Sequence, residues 1–224
     1  MKKIIFLYLV ILLFQNCASE PQATEQIFAH FNLSYEQPNQ QIRVGAHFSK
    51  GLEEATASPI KIIEGVNFQG RKMQEKEVSK NETRYISTQK EDFKMDYSFS
   101  FLSPEKKEIQ HTINIKPLDD INIKGDFSKS KDVQISWKES PLLENETIVF
   151  LFKNEKNDFV NFEINGPTNA SSVNLPSEKL KKLPLGIGNL FLVRKQRNTT
   201  QNSNVSIISE TEFYSQVISV TILP

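Results

Sequence analysis

The chain has 224 residues, 27 of them basic and 27 acidic, and a single cysteine, Cys17. Balanced charge without a basic stripe argues against a nucleic-acid binder, and one cysteine rules out a disulfide within the chain. Sixteen Phe and 38% hydrophobic residues can still build a packed core.

Lys2 and Lys3 precede an unbroken apolar run over residues 4–14, the basic start and apolar stretch of a secretory signal. The run is too short to span a hydrocarbon core, which takes about 20 helical residues. Phe14-Gln15-Asn16-Cys17 resembles a lipobox, with Phe14 and Asn16 in place of the usual Leu and small residue, as in the relaxed lipoboxes of Bacteroidota and spirochaetes. That resemblance implies a signal peptide over residues 1–16, fatty-acyl groups such as palmitate on Cys17, and a lipidated tether over residues 17–26. The alternative is ordinary cleavage after Ala18 or Ser19, giving a soluble chain. Ala18 behind the cysteine, where Asp would mark inner-membrane retention, implies the outer membrane. Without residues 1–16 the 27 basic residues lose Lys2 and Lys3, leaving 25 against 27 acids and a net charge of −2. About 208 residues remain, enough for one large or two ordinary domains. Residues 18–26, fully extended, reach only about 30 Å.

Beyond the tether, period-two alternation dominates, the signature of half-buried strands. Ile27, Ala29, Phe31, Leu33 and Tyr35 share one face of a first strand, and Ile42, Val44, Ala46 and Phe48 repeat the pattern after Pro38-Asn39. Ile60, Ile62, Val66 and Phe68 suggest a third strand, ending at a Gln69-Gly70 turn. Phe93, Met95, Tyr97, Phe99 and Phe101 point one way and, across Ser103-Pro104-Glu105-Lys106, pair with Ile109, Ile113 and Ile115 as a hairpin. Pro117-Leu118-Asp119-Asp120 marks a boundary, so the expected bodies are a first β-sandwich over residues 27–117 and a second over residues 118–224.

In the second body, Ile121, Ile123 and Phe127 make one expected strand and Val133, Ile135 and Trp137 the next. Residues 147–152 are apolar on both faces, as in a central strand covered on both sides. A turn near residues 154–157 leads to Val160, Phe162 and Ile164. Val173 and Leu175 precede Pro176, and residues 177–183 suit one or two helical turns with Ser177 as N-cap. A strand over residues 190–195, a polar loop over residues 196–204 and a last strand near residues 213–223 complete the pattern.

Residues 119–224, through Trp137, the run from Leu175-Pro176 to Leu180, Leu183 and Gly186, and the strand after it, resemble an immunoglobulin- or fibronectin-type-III-like domain. Residues 27–116, with Gly65-Val66-Asn67-Phe68-Gln69-Gly70, Met73 and Tyr85, resemble the first sandwich of tandem-domain lipoproteins of Bacteroidota. The resemblance implies an all-β protein of two tandem antiparallel immunoglobulin-like sandwiches after an N-terminal signal helix. It brings no functional residue.

Patterns for catalysis are absent: no G-x-S-x-G elbow, H-E-x-x-H helix or phosphate loop occurs. His30 and His47 fall on the polar faces of their strands, and His111 falls in phase with Ile109 and Ile113. Separate single histidines give no metal-ligand spacing, so no metal, cofactor or catalytic residue is expected. Asp119-Asp120 lacks the alternating acidic loop of a Ca²⁺ site. Nearly every Phe, and Trp137, is in phase with aliphatic neighbours, which favours core over a sugar platform, while Tyr35, Tyr85 and Tyr214 remain surface candidates. Recognition is expected at residues 49–59, 74–84 and 196–204, because sandwiches present loops at their ends. The functional expectation is a non-enzymatic, outer-membrane lipoprotein of the cell envelope. It would bind membrane lipid through Cys17 and an envelope protein or glycan, but no nucleic acid. The alternatives are an envelope polysaccharide or peptide hydrolase, and an accessory subunit of an outer-membrane transport machine.

Overall fold

The computed structural model describes residues 24–80, 82–138, 141–154, 159–169 and 171–224. The expected signal and Cys17 lie outside them. The first half runs β1 (Gln26–Glu36), β2 (Gln41–Gly51), β3 (Ser58–Ile60), β4 (Val66–Phe68), β5 (Arg71–Lys72), β6 (Gln74–Ser79), β7 (Glu82–Lys90), β8 (Asp96–Leu102) and β9 (Glu108–Asn114). The second runs β10 (Asp119–Lys124), β11 (Phe127–Ser128), β12 (Val133–Lys138), β13 (Glu146–Asn154), β14 (Phe159–Asn165), β15 (Ser172–Leu175), the single-turn helix α1 (Ser177–Leu180), β16 (Gly186–Asn202), β17 (Val205–Tyr214) and β18 (Ile218–Leu223). The protein is all-β, in a sandwich layout.

The alternation in sequence becomes two faces in space because successive strand side chains point oppositely. Every residue assigned inward on β1 and β2 is buried. They meet the four-stranded sheet β5-β4-β8-β9 through aromatic contacts. Phe31 lies 4.3 Å from Phe99, Phe48 lies 4.8 Å from Phe101, and Phe68 lies 5.1 Å from Phe99. Gln69 and Gly70 both adopt positive φ, 49° and 73°, as a tight two-residue turn between β4 and β5 requires. In the second half, β13, β14, β16 and β18 face the three-stranded sheet β10-β12-β15. Trp137, Phe150, Leu190 and Leu192 are buried between them.

The two halves share one sheet. β13 and β18 flank the first part of β16, and the second part of β16 turns at residues 203–204 into β17. β17 then pairs in parallel with β1 along nearly its whole length, from Ile27 opposite Val205 to Glu36 opposite Tyr214. A hairpin that belongs by sequence to the second half therefore belongs by pairing to the first. Leu190, Leu192 and Arg194 share the β16 face on which, across the hairpin, Phe213, Thr211, Ser209 and Ile207 stand. Both smaller sheets thus cover the same face of the long sheet. Phe213 seals the seam, 5.9 Å from Tyr35 and 5.2 Å from Phe93.

Several expectations change. Residues 196–204 are not a polar loop but the end of β16 and the hairpin turn. Their polarity follows from exposure on an edge, where neither face needs apolar side chains. The expected last strand is two, because β17 ends at Tyr214 in the first half's region and β18 begins at Ile218 in the second. The third strand splits at the turn before Gly65 so that the chain can cross between sheets: β3 pairs with β2, and β4 with β8. The strand at residues 121–127 likewise divides, with β10 on β12 and β11 parallel to β18. Met95 precedes β8 and is exposed. Pro176, not Ser177, holds the N-cap position of α1, and the Asp132 carboxylate accepts the Ser177 N–H at 2.9 Å. Tyr35 and Tyr85 are core residues. Their hydroxyls are satisfied inside, Tyr35 donating to the Glu91 carbonyl at 3.2 Å, Tyr85 donating to the Ile62 carbonyl at 3.0 Å and accepting the Ile62 N–H at 2.9 Å.

Where the halves meet, a buried ion cluster replaces apolar packing. Glu146 Oε2 lies 2.7 Å from Arg194 Nη2, and its Oε1 lies 2.7 Å from Lys116 Nζ. Glu146 and Arg194 are essentially inaccessible to water. Burial alone would push the Glu146 carboxyl up. Hydrogen bonds from Lys116, the Leu143 N–H and Arg194 outweigh it and hold the carboxyl below its ordinary range. The cluster ties the segment after β9 to β13 and β16.

Candidate functional site

Among the described residues no other sheet covers the second face of the long sheet, and there parts of the three expected recognition segments converge. His30 on β1 and His47 on β2 are direct cross-strand partners. Such partners have side chains about 4.5–5.5 Å apart, and the two imidazoles stack with centroids 4.5 Å apart and planes 8° from parallel. The segment after β2 folds back beside them through a short 3-10 turn at Glu54–Thr56. Glu54 Oε1 comes within 3.7 Å of His30 Nε2 and 3.3 Å of Arg197 Nη2, and Arg197 also pairs with Glu210. Glu82, bonded to Arg84 at 2.9 Å, forms the opposite wall.

The result is an open cleft of about 470 Å³ floored by the histidine pair and Ser49. A second hollow of about 450 Å³ continues along the same strands past Asn32, Ser34, Arg43 and Thr88 to Glu210 and Glu212. Residues 49–59 supply one wall, the start of β7 another through Glu82, and β16 contributes Arg197.

Burial lowers the pKa of His30, with Glu54 pulling it up and Arg197 down. Burial also lowers that of His47, helped by His30 and Arg84. Both rings are neutral at pH 7, each offering one donor and one acceptor nitrogen. Each carboxylate around them is already paired with a cation. The floor is therefore a polar, hydrogen-bonding surface without excess charge.

The remaining candidates lie apart from this cleft. His111 sits in the other sheet of the first half, 6.3 Å from the Phe31 ring, and burial lowers its pKa too. Asp120 adopts a positive φ of 49° and lies 3.5 Å from Lys138 Nζ. Among the described residues no three His, Cys, Asp or Glu side chains converge as a metal cluster. Tyr214, the one surface tyrosine of the three expected, donates its hydroxyl to Glu212 at 2.8 Å. Burial, then that carboxylate, pushes its pKa up.

Sequence reading missed the pairing of His30 with His47. Each is one polar residue in an alternating strand, and only the register between two strands stacks them. No protein-family model matches the chain, and no curated protein matches it.

Proposed function

We propose that this chain is a non-catalytic binding module of the bacterial envelope, lipid-anchored through Cys17 at the outer membrane, whose recognition surface is the cleft around His30 and His47. The observation that carries the reading is the convergence of three separate segments on that one polar floor. Its ligand carries a polar face held by hydrogen bonds on the floor, because the floor offers neutral imidazoles and Ser49 beside compensated charges without a net field, while Ala55, Ala57 and Pro59 give the wall after β2 an apolar side. The orientation follows from β1. Its first residues lie beside the hairpin turn, and its last point toward the second half. At about 3.3 Å per residue its 11 residues set the second half some 35 Å farther from the tether. The cleft, near the start of β1, stands close to the bilayer.

The hydrolase alternative needs two carboxyl groups placed about a scissile bond. Glu54 and Glu82 do line the cleft, but each is engaged by an arginine, which favours binding over acid–base work.

A photo-crosslinking residue in place of Ser49 tests the reading in living cells, with the same residue at Gln110, on the outer face of β9, as control. Position 49 should trap a discrete species that disappears with His47→Ala, while position 110 gives background. Equal trapping at both positions would refute the cleft. Intact mass without acyl groups on Cys17 would refute the anchor.

A further inference from the structure

The second half carries a strand edge unlike the others. Exposed edges are ordinarily blunted by shortness, proline, charge or bulges. β5 and β11 have two residues each, β3 contains Pro59, and β15 runs directly into Pro176. β6 carries Glu75, Lys76 and Glu77 with a register shift, and β10 is broken by another shift beside Asp120. β9 matches β14 in length, but its outward side chains, Glu108, Gln110, Thr112 and Asn114, are all polar. β14 pairs only with β13 among the described residues. It has seven residues, no proline, no bulge against its partner and one charge, Glu163.

Two apolar features adjoin this edge. On the outward face Phe159 is 58% exposed and lies under Lys153 Nζ. On the inward face Val160, Phe162 and Ile164 are only half-buried, and Phe162 and Ile164 line a gap of about 240 Å³ between β14 and β15 together with Phe150 and Leu175.

We propose that β14 is a self-pairing edge through which two copies of the chain join antiparallel, making their long sheets continuous. The sequence is self-complementary in the register centred on Phe162. Val160 then faces Ile164 of the second copy, Asn161 faces Glu163, and the two glutamates never meet. The second copy's Val160, Phe162 and Ile164 would project over the gap and close it. A strand from another protein would need no such symmetry.

Sedimentation of residues 17–224 carrying Cys17→Ser, which removes any disulfide route to a dimer, tests this across a range of concentrations. The chain should show a reversible monomer–dimer equilibrium. Asn161→Glu sets like charges opposite Glu163 at two symmetric places and should weaken association about tenfold, while Asn161→Lys should strengthen it by a similar factor. Position 161 is exposed, and unchanged Trp137 emission and circular dichroism would show that each variant is folded. A monomer at every concentration, or equal shifts for the two variants, overturns the proposal.

Discussion

The outward face of the long sheet is mainly polar over the first half, with Phe28, Ile208 and Ile86 as exceptions, and apolar over the second, although β16 runs through both. Toward the second half this strand turns Ile187, Phe191 and Val193 outward, beside Val149 and Leu151 of β13. Toward the first it turns out Lys195 and Arg197, which pair with Glu212, Glu210 and Glu54. The opposite face changes too, from Leu190 and Leu192 through buried Arg194 to Gln196 and Asn198. One backbone therefore supports two surfaces of different chemistry, and the exchange happens at the ion cluster. The halves differ in what they present, while the shared strand joins them in one sheet.

Breaking the cluster should have the largest effect. Glu146→Ala removes the carboxylate facing Arg194 and Lys116, and loss of one partner from a buried pair costs about 3–5 kcal/mol. The urea midpoint should fall for probes in both halves, not only the second. Phe213→Ala, at the seam between the hairpin and β1, should cost a similar amount, about 3–5 kcal/mol for a buried ring. It should also loosen Tyr35 and Phe93. Thermal melts with near-ultraviolet circular dichroism would follow both changes.

Tyr85→Phe probes the first half by itself. It strips the Ile62 N–H and carbonyl of their shared partner at almost constant volume, an expected loss of about 1–3 kcal/mol measurable by denaturant unfolding. A smaller effect is set by pH. Burial depresses His30, His47 and His111 below the ordinary 6.5, so as pH falls the unfolded chain binds protons first. Stability should be complete above about pH 6.5 and decline from there down through the folded values. His47→Gln should flatten that slope, whereas changes at outward positions of β9 should leave it alone. Glu146 adds a separate loss at lower pH, as its depressed carboxyl is finally protonated.

Much of the fold was legible because burial on one face writes a period of two. Phe31, Phe48, Phe99, Phe101 and Trp137 all lie where their phase places them. The shared hairpin was not legible, since Gln196, Asn198, Thr200 and Asn202 give no apolar phase and the pairing of β1 with β17 joins residues about 180 positions apart. Apolar character on both faces of residues 147–152 suggested cover on both sides; Val149 is buried and Leu151 half-buried, beside Val193 and Phe191 on the same face, with no second sheet over them among the described residues. Tyr35 and Tyr85 read as surface residues because their hydroxyl partners are backbone groups from distant turns. The cleft was half legible: residues 49–59, 74–84 and 196–204 read as loops, yet Glu82 and Arg197 stand on β7 and β16, and the stacked histidines depend on cross-strand register.

The shared strands β16 and β17 make the two halves one cooperative sheet. Hydrogen exchange near the unfolding midpoint, resolved on peptides from β1 and β13, tests it directly. A single body predicts that both peptides open together with the same rate and the same denaturant dependence. Protection that persists in β1 while β13, β16 and β17 have already exchanged would contradict it.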